Sequence, residues 1–122
     1  MYKEDWLIRQ IKNTIRIIMW ILFKRKSVEY EIVDEYNYKK TDLLHKEILK
    51  LLSELKINKA ENLLFETIDS GDLNFLRLSL DFYNRLNGLS DEELKKGNFA
   101  REEIEMGLND ILEIYGVKDL NI

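Results

Sequence analysis

Cysteine and proline are absent from the 122 residues, glycine occurs five times and histidine once. Without cysteine there is no disulfide, no thiolate nucleophile and no cysteine-ligated zinc or iron–sulfur centre. The absence also fits a reducing compartment, and a cytoplasmic location is expected. The single histidine, His45, rules out a multi-histidine metal site within one chain, and a Ser-His-Asp triad would have to run through it. Scarce Pro and Gly beside abundant Leu, Ile, Lys and Glu favour helix throughout. The apolar run Ile17–Phe23 is seven residues long, far short of the roughly 20 that a membrane-spanning helix needs. Cations follow that run instead of preceding it, and no small residues close it, which argues against a secretion signal. No Gly-rich phosphate-binding motif occurs, and the glycines sit where helices would end.

What is present is charge, distributed unevenly. Residues 1–26 hold seven Lys/Arg against Glu4 and Asp5, a balance of +5. The remainder holds 12 basic and 21 acidic residues, a balance of −9. A cationic arm on an acidic body suits an anionic membrane surface, or contact between the arm of one subunit and the body of another. Such a body repels phosphate, so no nucleic-acid partner is expected.

The periodicity predicts one long helix over residues 2–24 within a cationic amphipathic segment, 1–26. Leu7, Ile8, Ile11, Ile15, Ile18, Met19 and Leu22 form a broad core-facing stripe. A second line passes through Tyr2, Trp6, Asn13, Ile17 and Trp20, with Arg9, Lys12 and Arg16 as a basic ridge between the two. Residues 27–40 have no helical period and read as an irregular linker, with Tyr30, Tyr36 and Tyr38 available to anchor it. The body, 41–116, reads as helices joined by junctions of two to five residues, which favours antiparallel hairpins. Thr41 is the expected N-cap of the first, ahead of Leu43, Leu44, Ile48, Leu51, Leu52 and Leu55. Asn58 with Glu61 reads as a capping box opening the second, and Gly71 as its stop. Asp72 is the expected cap of a helix carrying Leu73, Leu76, Leu80, Tyr83 and Leu86 and ending at Gly88. Ser90 with Glu93 forms another box, before a short helix that stops at Gly97. The last helix, about 100–115, places Ile104, Leu108, Ile111, Leu112 and Tyr115 on one face and ends at Gly116; Ala100 stands where a capping Ser or Thr would be usual.

The segment LHKEILKLLSELKINKAENLLFETIDSGD, residues 44–72, resembles a tetratricopeptide-type helical hairpin, with Ala60 at the position where such repeats carry a small residue. About one repeat is covered, too few for a solenoid. The usual aromatic and glycine positions of the first helix are missing. Across nearly its whole length the chain is similar to a family of small uncharacterised helical proteins from Gram-positive bacteria. The phrases that carry the likeness are MYKEDWLIRQI, INKAENLLFETID, LDFYNRLNGLSDEEL and NFAREEIEMGL. The resemblance implies an all-α fold and brings no activity, and hence no catalytic residues.

Candidate chemistry is sparse. Asp42 and His45 form a D-x-x-H pair of the kind found in di-metal bundles, but such sites need a second motif, so a partly exposed surface histidine is the favoured reading. The acidic runs Asp91-Glu92-Glu93 and Glu102-Glu103-x-Glu105 sit at helix starts, where acids complement the helix dipole. Asp69-Ser70-Gly71-Asp72 is too short for a calcium loop. Phe82 and Tyr83 are expected in the core, with a peptide groove as the second possibility. The expectation is therefore an all-α, non-enzymatic interaction protein without cofactor or metal, homo-oligomeric or bound to another protein through Trp6, Ile17, Trp20 and Ile21. The alternative is a peripheral membrane protein whose Lys24, Arg25 and Lys26 meet an anionic surface. An enzyme of unrecognised class is the third possibility.

Overall fold

A computed structural model of the chain describes residues 2–24 and 40–117, with side chains from Asp5 onward. Most of the described residues are helical, and no strand occurs among them. The order is α1 (Tyr2–Ile18), a π-helical turn (Met19–Phe23), then α2 (Lys40–Ser53), α3 (Ile57–Thr67), α4 (Leu73–Asn87), α5 (Asp91–Lys96) and α6 (Arg101–Ile114). The all-α expectation holds. Most of the linker, with Tyr30, Tyr36 and Tyr38, lies outside the described residues, as do Arg25 and Lys26.

The core is built around α4, which packs against α1, α2 and α6. Phe75, Leu76, Leu78, Leu80, Phe82, Tyr83 and Leu86 are all buried, so this helix is apolar nearly all round, the pattern of an element enclosed by others. Each such side chain contributes roughly 1.5–3 kcal/mol by leaving water. Phe82 is therefore core, its ring meeting that of Tyr83 edge-on at 4.9 Å and 68°. From α1 come Leu7, Ile11, Ile15, Ile18 and Met19, all buried.

Leu22 departs from the core stripe expected for it: 41% of it is exposed. The cause is the π-helical turn. An i→i+5 hydrogen-bond step places about one extra residue in the turn and rotates the residues beyond it. Phe23 takes the inward place instead, packed against the core with the Arg77 guanidinium 5.7 Å from its ring centre. The helix stops at Lys24, whose φ of 55° is left-handed.

Local capping signals fare unequally. Asp72 caps α4, its Oδ1 accepting from Asn74 N at 2.9 Å. Ser90 and Glu93 form the expected reciprocal box on α5. The Ser90 N–H, and then its hydroxyl, hold the Glu93 carboxyl below its ordinary value. Ala100 opens α6 with half a box: its N–H donates to Glu103 Oε2 at 2.6 Å. Thr41, however, lies inside α2 and is buried. Asn58 and Glu61 do not cap α3, whose first turn has Lys56 ahead of it and no side-chain cap. Both are drawn into longer-range bonds instead: Asn58 Nδ2 donates to the Asn98 carbonyl at 3.1 Å, and Glu61 accepts from Tyr83. Helix α3 ends at Thr67, before Gly71, which lies in the turn beyond. Leu43 and Leu73, counted with the core by spacing, are 58% and 52% exposed, each near the start of its helix.

Among the described residues, three helices end in Schellman turns, with C″ N–H groups reaching back to C3 carbonyls at Lys56→Leu51, Phe99→Leu94 and Val117→Leu112. Leu55, Asn98 and Gly116 take the left-handed position in these turns. Gly116 is the residue that chemistry favours there and Asn98 the next most tolerant, while Leu55 is the exception.

Candidate interaction surface

Helix α1 has one face committed to the core and one face left outward. On the outward face Trp6, Trp20 and Ile21 are 57%, 54% and 49% exposed, and Ile17 is half-buried beside them. Trp6, Asn13 and Trp20 are spaced seven apart, so they stack along one line, about 10.5 Å per step at 1.5 Å per residue. Aromatic side chains bury large areas, and Trp20 with Ile21 and Ile17 at one end of the stripe and Trp6 at the other leave apolar surface in water of the kind that marks contact sites. Arg9, Lys12 and Arg16 are exposed alongside. Among the described residues none of these three cations makes an ion pair. A depression of about 350 Å³ lies along the same face, lined by Trp6, Arg9, Gln10, Asn13 and Thr14.

The outer face of α6 has the opposite character. Glu102, Glu103, Asp110 and Glu113 are exposed there, around Met106 and Ile114, which are 63% and 40% exposed. The inward face carries Ile104, Leu108, Ile111 and Leu112, and α6 packs against α1 as well as α4. Met106 was open to detection in the sequence: in REEIEMGLND it falls between Glu103 and Asp110 at helical spacing.

Beneath α6, Glu61 of α3 and Tyr83 of α4 meet, the Tyr83 hydroxyl donating to Glu61 Oε2 at 2.7 Å. The backbone of Gly107 lies against this pair. Burial raises the Glu61 carboxyl above its ordinary value; the Tyr83 hydrogen bond opposes this, and Glu103 and Asp110 add to it as like charges. Burial first and the Glu61 charge second push the Tyr83 phenol upward.

His45 is a correction to the sequence reading. It is buried, not partly exposed, and its Nε2 lies 3.0 Å from Asp81 Oδ2. Arg85 Nε donates to the same oxygen at 2.7 Å. The imidazole thus belongs to a buried polar cluster joining α2 to α4. Asp42 is buried on the same helix as His45. Among the described residues no group of three or more His, Asp or Glu side chains could hold a metal ion. Arg101, also buried, donates to the carbonyls of Asn87 and Leu89 and to Asp91, which fastens the end of α4 to the start of α6. It lines an open depression of about 630 Å³ with Lys95, Asn98, Glu102 and Glu103 among its neighbours. Among the described residues, no helix is long and apolar enough to cross a membrane.

Compared with protein families, residues 1–116 match the one described as "Family of unknown function (DUF6483)". The chain belongs to this family. The match takes in α1 through α6, so both outward faces lie within the family's shared extent. Comparison with curated proteins and with solved structures gives no match. The family carries no assigned activity, and function has to be argued from the surface itself.

Proposed function

We propose that the chain is a non-enzymatic, cytoplasmic interaction module that needs no cofactor and self-associates through the outward face of α1. The observation that carries this reading is the pair Trp6 and Trp20, both more than half exposed on a helix whose other face is already buried in the core. Trp is a favoured interface anchor, because one side chain removes a large apolar area from water. Symmetric dimers are the commonest outcome of such a patch.

Light scattering on the full chain tests it. The expected particle has about twice the chain mass of 14.7 kDa, and Trp20→Glu returns it to the monomer with unchanged helical circular dichroism. A wild-type protein that stays monomeric up to about 1 mM, the weak end of specific association, overturns the reading.

A second occupant, an anionic bilayer, is favoured by Arg9, Lys12, Arg16 and Lys24, all exposed on the helix that carries the tryptophans. Co-sedimentation with vesicles containing phosphatidylserine, absent with purely zwitterionic vesicles and lost at high salt, is the result that would select it.

A further inference from the structure

We infer that the surface receiving α1 is the outer face of α6 on the second copy, and that the contact is reciprocal, each α1 lying on the other chain's α6. The inference rests on the self-association reading and names its partner surface. Its starting point is charge. If two α1 faces met each other, Arg9, Lys12 and Arg16 of one copy would confront the same three cations of the other. Like charges brought together in a contact are strongly disfavoured. The tryptophan stripe therefore needs an acidic counterpart with apolar residues at its centre.

The outer face of α6 meets that description. Four exposed carboxylates, Glu102, Glu103, Asp110 and Glu113, surround Met106 and Ile114. Spacing agrees as well. Arg9 and Arg16 are seven residues apart, and so are Glu103 and Asp110, which puts each pair about 10.5 Å apart along its helix axis. Neither Glu103 nor Asp110 has a cation within ion-pair distance among the described residues. Both already crowd Glu61 with like charge, so cations arriving from outside would relieve an existing repulsion.

Topology makes the contact closed. Within one chain α1 and α6 pack side by side against α4. A two-fold axis beside that pair sets each α1 opposite the other chain's α6, so both complementary contacts form at once and no face is left to recruit a third copy.

The experiment uses two full-length charge-reversal variants, Arg9→Glu with Arg16→Glu, and Glu102→Arg with Asp110→Arg. The second leaves Glu103 in place because it caps α6. Each variant alone should be monomeric, its self-association weakened about a hundred-fold or more. A one-to-one mixture should recover the dimer, because the reversed α1 of one then meets the reversed α6 of the other. Circular dichroism checks that each variant is folded, and the recovery in the mixture is a readout that misfolding cannot imitate. If the α6 variant alone still dimerises while Trp20→Glu does not, α1 self-associates through a different surface: this inference is overturned and the proposed function stands. Should the wild-type chain be monomeric, both fall. Mass that keeps growing with concentration beyond two copies overturns the reciprocal arrangement.

Discussion

The hydroxyl of Tyr83 donates a 2.7 Å hydrogen bond to Glu61 across the interface of α3 and α4, under the roof formed by Gly107. Glu61 thus carries a charge in a half-buried place, with two further carboxylates near it. Its folded value lies above the ordinary 4.5, so the native state holds this proton more tightly than the unfolded chain does. The ionised carboxylate therefore costs stability at neutral pH. That cost fades as pH falls through the raised value toward 4.5. Glu61→Gln keeps an acceptor for Tyr83 and removes the charge. The variant should melt at or above the wild-type temperature at pH 7, and its advantage should shrink as the pH is lowered toward 5. Paired thermal melts across that range check the sign. A variant that is less stable at pH 7, or whose difference from wild type ignores pH, would remove Glu61 as the source.

Gly107 is the next test of the same place. A Cβ built there would overlap the Tyr83 hydroxyl and come 2.6 Å from Glu61 Oε2. The Tyr83 ring is fully buried and cannot swing aside. Gly107→Ala should then destabilise by about 1–3 kcal/mol, the usual result of overpacking, although Ala is the better helix former by nearly 1 kcal/mol. Urea titration decides it. A stabilised Ala variant would mean that α6 can move away from α4 at little cost.

Asp81 accepts from Arg85 and lies 3.0 Å from the His45 ring nitrogen, with its own side chain 3% exposed. Asp81→Ala leaves His45 without that oxygen in a buried site. Breaking one partner of such a pair costs about 3–5 kcal/mol at full burial. Arg85 is partly solvated and can regain water, which places the expected loss nearer the lower end. Arg85→Ala should cost less, about 1–3 kcal/mol, since it takes one hydrogen bond from the buried Asp81 carboxylate and leaves His45 beside it. Equal losses for the two substitutions would contradict the assignment of the buried partner to His45.

These contacts explain where sequence reading succeeded and where it stopped. Asp72 on Asn74 and Ser90 with Glu93 were legible because cap and helix lie within three residues of each other. Asn58 and Glu61 have the same local pattern, but their partners at Asn98 and Tyr83 are 40 and 22 residues away, and the tertiary bonds win. His45 reads as a surface residue because its partner Asp81 is 36 positions distant. Trp6 was legible because regular spacing alone sets its angle on α1, and Trp20 because it is only the second residue of the π-helical turn, where the departure from regular spacing is still small. The acidic face of α6 was visible as charge at a helix start, and spacing alone sets Met106 among those carboxylates; that this face turns outward depends on Ile104, Leu108 and Ile111 packing inward.

Tyr115 ties the end of α6 to the turn between α3 and α4. Its hydroxyl lies 2.7 Å from the Asp69 carbonyl and 2.9 Å from that of Asp72, and burial with those two acids pushes the phenol up to about 12. Tyr115→Phe keeps the ring and loses the hydroxyl. The expected loss is about 1 kcal/mol, small because both carbonyls can turn to water. Hydrogen exchange should show the difference as faster opening of residues 68–72 and 112–117, without a global change. Uniform acceleration throughout the core would argue that the tether supports the whole fold.

The π-helical turn makes the sharpest distinction between a periodic reading of α1 and the structure. By strict helical spacing Leu22 continues the core stripe and Phe23 does not. The structure exchanges them: Leu22 is 41% exposed, and Phe23 packs on the core beneath Arg77. Leu22→Ser should therefore cost well under 1 kcal/mol, within the range of ordinary surface changes. Phe23→Ser should cost about 2–3 kcal/mol, reduced from the full core value because the ring is only partly buried. It should also loosen Arg77, whose guanidinium then loses the ring face below it. Equilibrium unfolding of the two variants gives the order directly. If Leu22→Ser proves the more damaging, α1 runs as a regular helix to its end in solution. The placement of Trp20 and Ile21 relative to the core, set by the same turn, would then have to be rotated with it.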